Sequence, residues 1–209
     1  MEQKEPQEVP INKVEEPKLA FVEFEVKFRV EGNLVHDFKK LAQALPDLKE
    51  FVYLESDDIY FVKGEEFIRH RFDTKNLAGR QELTYKRKNN ANNNINRIEN
   101  NVRSDGNSLE NVAAFCTNLG FKYNFKISKF VHIYRFPDAT LPFYTVIDDT
   151  GAMSHFMEIE VDEELLKDLT EEQAWAIVKK YETILAPLGI TAQKRLRKSL
   201  FEMYRKEIK

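Results

Sequence analysis

The segment Val22–Phe28 alternates apolar and charged side chains, with the sequence Val-Glu-Phe-Glu-Val-Lys-Phe. Successive side chains of a β-strand point to opposite faces of its sheet. The segment therefore predicts a strand with one apolar face and one face that carries Glu23, Glu25 and Lys27. Charged faces are common where a strand borders water. This segment alone does not distinguish a solvated surface from a charged pocket.

Later segments repeat this pattern of charge on one face of a strand. Arg69 and Arg71 share a face of their predicted strand, and Lys86 shares a face with an acid four residues earlier. Near the other end of the chain, Glu158 and Glu160 repeat the paired carboxylates. If these faces converge, they form a pocket that binds phosphates through its cations and metal ions through its acids.

The remaining pattern indicates short consecutive strands, which favour antiparallel pairing, and several helices. The predicted strands are 22–30, 50–55, 58–63, 66–72, 81–88, 97–102, 121–127, 129–136, 143–148 and 155–161, and the predicted helices are 34–45, 108–119, 170–186 and 192–207. A capping box from Thr170 to Gln173 marks the start of the third helix. The fold class is therefore α+β.

About eight antiparallel strands suit a closed barrel, and small barrels are normally filled by apolar side chains. Here charge recurs on one face of many strands. The residues alone leave two choices open. Either the chain forms a closed eight-stranded antiparallel β-barrel with a charged lumen and helices packed outside, or the charged faces are simply solvated.

Composition sets limits on domain number and partners. The 209 residues suit one domain, which we place at 20–209 after a disordered tail at 1–19 rich in Glu, Lys, Gln and Pro. Asn89–Asn96 is almost all asparagine and indicates a flexible loop. The formal net charge of −3 gives no basic field for nucleic acid, and no apolar run is long enough to span a bilayer. Cys116 is the only cysteine, which excludes an intrachain disulfide and fits a cytoplasmic location.

A series of short motifs follows one order along nearly the whole chain. They are Glu23–Lys27 (ExExK), Asp58–Phe61 (DxYF), Arg69–Arg71 (RxR), Thr84–Lys86 (TYK), the acid Asp148, Phe156–Glu160 (FxEIE) and Lys198–Ser199. ExExK alone is weak, because charged alternating strands are abundant. The ordered set resembles the CYTH family, the triphosphate tunnel metalloenzymes. The resemblance implies an antiparallel eight-stranded tunnel with charged walls.

The resemblance also implies roles for individual residues. The candidate substrate-binding cations are Lys27, Arg69, Arg71, Lys86, Arg97, Lys129 and Lys198. The candidate metal ligands are Glu23, Glu25, Glu99, Asp148, Glu158 and Glu160. The candidate catalytic residues are Glu23, Glu25, Lys27 and Asp148. Arginine and lysine suit phosphate oxygens, and an all-oxygen ligand set suits Mg²⁺ or Mn²⁺ rather than zinc or copper.

The chain departs from the family pattern at several positions. Where the family often has a KxRxxY element, Lys129 and Tyr134 match, but Val131 replaces the arginine. Ser154 stands in place of a glycine, and Leu200 stands in place of an aromatic residue. The missing arginine would alter the grip on the substrate and leaves the acid set intact.

The leading interpretation is a cytoplasmic, divalent-metal-dependent triphosphatase that acts on inorganic triphosphate, thiamine triphosphate or a nucleoside triphosphate. Class IV adenylyl cyclases share the tunnel; in them the ribose 3′-hydroxyl attacks the α-phosphorus and pyrophosphate leaves. A non-catalytic triphosphate or nucleotide binder and an ordinary barrel with a solvated charged face are the other readings. We expect a small-molecule triphosphate as the partner, no nucleic acid or membrane, and a monomer or homodimer.

Overall fold

An antiparallel sheet dominates the computed structural model, which describes residues 21–75, 80–88 and 96–207, without the side chains of 21–23, 87–88 and 96–98. The strands are β1 (Phe21–Val30), β2 (Glu50–Lys63), β3 (Glu66–Asp73), β4 (Gln81–Lys88), β5 (Asn96–Arg103), β6 (Lys122–Arg135), β7 (Ala139–Asp148), β8 (Met153–Val161) and β9 (Arg195–Leu196). Within these ranges the nine strands follow the order β5-β4-β3-β2-β6-β7-β8-β1-β9. The start of β1 also pairs with β5, from Phe21 opposite Glu99 to Phe24 opposite Asn96.

Helices accompany this sheet. They are α1 (Leu34–Ala44), α2 (Leu109–Asn118), α3 (Glu163–Leu166), α4 (Glu171–Leu185) and α5 (Leu200–Tyr204), with 3₁₀ turns at Ala186–Leu188 and Ala192–Lys194. The predicted capping box of α4 is confirmed, because the Thr170 hydroxyl accepts from the Gln173 N–H while the Gln173 side chain accepts from the Thr170 N–H. Glu182 of α4 accepts two hydrogen bonds from Arg195, at 2.5 and 2.6 Å, and so ties β9 to this helix.

The sheet has two chemically different faces. Phe28 of β1, Phe143 of β7 and Ile159 of β8 belong to one buried apolar cluster with Phe38 of α1 and Tyr181 of α4. Because side chains alternate along a strand, the neighbours of these residues in sequence point to the other face. That second face carries the charges considered below.

Two predicted strand breaks and one predicted helix are wrong. The segments 50–55 and 58–63 belong to the single strand β2, and the segments 121–127 and 129–136 belong mainly to the single strand β6. Polar residues interrupt the apolar pattern of β2, but β3 and β6 pair with its backbone across this point. The helix expected at 192–207 is replaced by a 3₁₀ turn, β9 and the short helix α5, because Arg195 and Leu196 pair with β1.

The predicted α+β class and the antiparallel sheet are confirmed. The sheet has nine strands rather than eight among the described residues, and the closed eight-stranded barrel is not confirmed. The tail at 1–19 and residues 89–95 of the asparagine-rich segment lie outside the described residues, while Asn96 begins β5. In the described part of the chain, no helix has the length and apolar character that crossing a membrane requires.

Candidate functional site

A cavity of about 360 Å³ lies against the second face of the sheet. Its charged lining residues are Glu25, Lys27, Arg69, Arg71, Glu82, Lys86, Glu99, Lys129, Arg135, Glu158 and Glu160. They come from β1, β3, β4, β5, β6 and β8, where each occupies a position on one face of its strand. Ser199, Leu200 and Phe201, at the start of α5, complete part of the lining. The charged strand faces therefore converge on one cavity, a choice that the residues alone had left open.

Lys27 joins two of the predicted acids at one side of this cavity. Its Nζ lies 3.1 Å from Glu25 Oε1 and also contacts Glu158 Oε1. The Tyr144 hydroxyl donates a hydrogen bond of 2.6 Å to the same oxygen of Glu158. Burial acts to lower the pKa of Lys27, but the charges of Glu158 and Glu25 outweigh it and hold the pKa well above its ordinary value. Lys27 is therefore a fixed cation between two carboxylates.

Arg71 is held from behind by a buried aspartate. Its Nε and Nη2 donate to the two oxygens of Asp58 at 2.7 and 2.8 Å. The Asp58 side chain is completely buried, and the two residues face each other in the β2–β3 register. Burial acts to raise the pKa of Asp58, but the Arg71 charge and hydrogen bonds lower it far below its usual range. Asp58 is ionised and fixes the direction of the guanidinium.

Lys129 is a further buried cation, close to Asp58 and Tyr144. Its Nζ lies 4.0 Å from Asp58 Oδ2 and 4.4 Å from the centroid of the Tyr144 ring. Burial and the neighbouring charge of Arg71 lower the pKa of Lys129 to about 7, against a smaller opposing effect of Asp58. This amine therefore changes its charge near neutral pH.

Arg69 and Lys86 occupy the β3–β4 wall. Arg69 Nη2 donates to Thr84 Oγ1 at 2.9 Å and lies 3.8 Å from Glu99 Oε1. Lys86 Nζ lies 2.5 Å from Glu99 Oε2. The Nε atom of Arg69 is buried and has no hydrogen-bond partner among the described residues. Leaving a buried donor without a partner costs free energy.

The predicted metal ligands are only partly brought together. Glu25 lies directly opposite Glu160 in the β1–β8 register, and Glu158 lies opposite Lys27. Glu99 lies at the other wall with Lys86. Within the described ranges, no three His, Cys, Asp or Glu residues form a group able to hold a metal ion. Facing carboxylates nevertheless have the oxygen chemistry of an Mg²⁺ site, whose other positions are normally filled by water and phosphate.

Two of the predicted site residues, Asp148 and Lys198, lie outside the cavity lining, and two others have side chains that the structure does not describe. The side chains of Glu23 and Arg97 lie outside the described set, although their backbones pair with each other in the β1–β5 register. The structure places Asp148 outside the lining, because its Oδ1 accepts from Thr150 N, Thr150 Oγ1 and Ala152 N in the turn after β7. Lys198 is exposed and also lies outside the lining, since the segment before α5 is not helical.

Sequence reasoning missed several residues of the site. The sequence marks Asp58 only as part of a motif. Its contact with Arg71 depends on the pairing register of β2 and β3, which the sequence does not reveal. Tyr144 and Arg135 line the cavity without belonging to any of the motifs. Arg135 lies six residues after Lys129 on β6, and Tyr144 of β7 lies opposite Val131, so side-chain alternation along β6 and pairing with β7 would have been the available signals.

Comparisons with known proteins identify the fold. No protein-family model and no curated protein matches the sequence. A conserved hypothetical protein from Pyrococcus furiosus superposes with a TM-score of 0.67 at 22% identity, covering 86% of this chain and 98% of that one. A "putative adenylate cyclase" from Vibrio parahaemolyticus gives 0.61 at 14% identity, covering 88% and 98%. The mimivirus capping enzyme triphosphatase gives 0.52 at 10% identity, covering 79% and 89%.

These similarities extend over most of each chain but lie at low sequence identity, so they establish a shared fold. The chain therefore has a CYTH-type fold, which confirms at the level of fold the resemblance to the triphosphate tunnel metalloenzymes that its motifs predicted.

Proposed function

We propose that this protein hydrolyses a triphosphate-bearing small molecule in the charged cavity and requires a divalent metal ion. The observation that carries the proposal is a cavity whose lining brings together cations from four different strands, namely Lys27, Arg69, Arg71, Lys86 and Lys129. Cations held on several walls of one cavity can contact a polyanion from several sides at once. Arginine adds the geometry for paired contacts to phosphate oxygens.

The balance of charge supports a metal requirement. The described lining contains six cationic and five acidic side chains. A triphosphate brings about four further negative charges. The lining is too nearly neutral to compensate them, so additional positive charge has to enter with the substrate. Glu25, Glu158 and Glu160, with Glu23 from the same strand as Glu25, are the residues that would hold it.

We further propose that strands β1 to β8 close into a tunnel. The pairing of β1 with β5 supports this, because these strands otherwise stand near opposite ends of the strand order. A closed wall would place cations on several sides of a linear triphosphate. It would also exclude bulk water, which strengthens the electrostatic interactions inside.

The residues divide the chemistry between them. Arg69, Arg71 and Lys86 bind and orient phosphoryl oxygens, and Lys27 stabilises charge that develops on the transferred group. Mg²⁺ or Mn²⁺, held by Glu25, Glu158 and Glu160, would neutralise part of the substrate charge and would make water a better nucleophile. Water oxygen forms a bond to the terminal phosphorus, the bond from that phosphorus to the bridging oxygen breaks, the diphosphate product leaves with the bonding electrons, and the proton lost by the water passes to solvent.

Phosphorus NMR of the reaction products tests the proposal. We expect orthophosphate and a diphosphate product when the protein is incubated with Mg²⁺ and tripolyphosphate, thiamine triphosphate or ATP. Arg69→Met should lower kcat/KM by about 100-fold, which is the usual scale for loss of a charged contact to phosphate. Arg103→Met is the matched control, because the Arg103 side chain is 58% exposed and does not line the cavity.

The same spectra distinguish the other candidate functions. If ATP gives pyrophosphate and cyclic AMP, the protein is a cyclase rather than a hydrolase. If the substrate stays intact and its phosphorus signals broaden when protein is added, the protein is a non-catalytic binder. Equal activity of Arg69→Met and Arg103→Met would remove the cavity from the mechanism.

A further inference from the structure

One part of the cavity wall is apolar rather than charged. Along β6 the side chains that line the cavity are Lys129, Val131, Ile133 and Arg135, at every second position. Two apolar residues thus separate two cations. At about 3.3 Å per residue, Val131 and Ile133 lie about 7 Å apart along the strand, and each lies a similar distance from the adjacent cation.

Neighbouring strands extend this apolar stretch sideways. Leu54 of β2 lies opposite Val131, and Pro142 of β7 lies opposite Ile133 in the strand registers. Both residues line the cavity. Adjacent strands are about 4.8 Å apart, so the apolar wall formed by Leu54, Val131, Ile133 and Pro142 measures about 7 by 10 Å. That area matches the face of a one- or two-ring aromatic system.

Phosphate gains nothing from such a wall, because an apolar surface supplies no donor to replace the water that phosphate loses. Organic ligand pockets, by contrast, combine apolar walls with a few polar anchors. Here the apolar wall is continuous with the cations, since Val131 is two residues from Lys129 and lies opposite Tyr144. At its far side stand Arg135 and Thr140, which pair in register and offer polar groups to an extended ligand.

We infer that the substrate is an organic triphosphate whose aromatic ring packs on the wall of Leu54, Val131, Ile133 and Pro142. Its phosphate chain extends past Lys129 towards Arg69 and Arg71. This inference rests on the proposed function and narrows it. It predicts that triphosphates with an aromatic ring bind more tightly than inorganic triphosphate.

The test compares three ligands that share a triphosphate and differ in the attached group. Tripolyphosphate has no organic group, ribose 5-triphosphate has a sugar without a ring base, and ATP has an aromatic base. Dissociation constants from calorimetry and kcat/KM from phosphate release are measured for each in the presence of Mg²⁺. We expect ATP to bind at least tenfold more tightly than ribose 5-triphosphate, as burial of an aromatic face on an apolar wall predicts.

Substitutions locate the preference on the wall. Ile133→Thr and Val131→Thr should each weaken ATP binding about tenfold and leave tripolyphosphate binding within about twofold, because they alter the apolar wall and no phosphate contact. Val102→Thr makes the matched exchange at a residue that is 61% exposed and outside the lining, and should change neither ligand. Circular dichroism and unfolding midpoints show that each variant is folded.

The outcomes separate this inference from the proposed function. Equal or tighter binding of tripolyphosphate than of ATP in the wild type would overturn the inference while leaving triphosphate hydrolysis standing. Equal losses for both ligands in Ile133→Thr would overturn it as well. If none of the three ligands binds or turns over, the inference and the proposed function fail together.

Discussion

At the scale of single residues, Lys129 links the site to pH. Its pKa of about 7 lies below its ordinary value of 10.5 because burial and Arg71 disfavour the charged form. Between these two values the unfolded chain binds more protons than the folded one, so this residue makes folding stability rise with pH. Below pH 7 both states carry the proton and the cost of burying the charge is fully present. A bound polyanion would favour the protonated amine.

We therefore predict that ligand binding takes up a proton at pH 8. Calorimetric titration of tripolyphosphate with Mg²⁺, in buffers of different ionisation enthalpy, should give an uptake approaching one proton per site for the wild type at pH 8. The uptake should vanish at pH 6, where Lys129 is already charged. Lys129→Met should show none at either pH. An unchanged uptake in Lys129→Met would assign the proton to another group.

Asp58 supports a second residue-scale prediction. It is a completely buried carboxylate whose charge is matched by Arg71. Asp58→Asn keeps the shape but leaves the guanidinium without its partner, which should cost roughly 3 to 5 kcal/mol in the free energy of unfolding. Urea unfolding measures this. The control is Asp105→Asn, which breaks an exposed pair with Arg103 and should leave the free energy of unfolding nearly unchanged. Equal losses in the two variants would contradict the structural role of Asp58.

At the scale of elements, alternation predicted the strands well where one face is apolar and the other charged, as in β1, β3, β4 and β8. It failed where pairing overrode the local pattern. The polar residues around Asp58 suggested a strand end, yet this carboxylate meets Arg71 across the sheet and β2 continues. The basic residues near the C-terminus suggested a helix, yet the free edge of β1 beyond its pairing with β5 recruits Arg195 and Leu196.

The same limit applies to the candidate site. The charged face of each strand followed from alternation, because that property is local to the sequence, whereas the convergence of these faces on one cavity depends on how the strands pair. The positions of Asp148 and Lys198 did not follow, since they depend on where a strand ends and how a turn directs the chain. Asp148 is the last residue of β7, where its carboxylate satisfies the turn instead of facing the cavity.

The short helix α5 gives an element-scale prediction. Phe201 is buried and stacks on Phe67 with ring centroids 4.2 Å apart, so it attaches the helix to the cavity wall. Phe201→Ala should lower the free energy of unfolding by roughly 3 to 5 kcal/mol. Hydrogen exchange should accelerate at the Met203 and Arg205 amides, which bond to Ser199 and Phe201. Phe115→Ala, at a site 54% exposed on α2, should change stability by no more than about 0.5 kcal/mol. Unchanged exchange in α5 would mean that Phe201 does not anchor it.

At the scale of the whole molecule, the two faces of the sheet are stabilised by different interactions. One face packs on α1 and α4 through apolar contacts. The other face holds many buried charges whose mutual pairing leaves little net charge. Such a lining is compatible with folding in the free state, because each cation has an acid nearby. It accepts a polyanion only together with compensating positive charge.

Thermal unfolding should therefore respond to metal and triphosphate jointly. Saturating Mg²⁺ with tripolyphosphate at about 100-fold excess over Kd should add about 2.7 kcal/mol of stability, which corresponds to a rise in Tm of roughly 5 to 10 °C for a chain of this size. Tripolyphosphate with a chelator, at matched ionic strength, should give a small fraction of that rise, because the added negative charge meets a lining that is already balanced. Glu158→Gln should reduce the rise in Tm that metal and tripolyphosphate give together, because it weakens metal binding. A full rise in Tm with tripolyphosphate alone would contradict the proposal. It would show that the cations compensate the ligand without metal and that the acids serve only to pair with the cations.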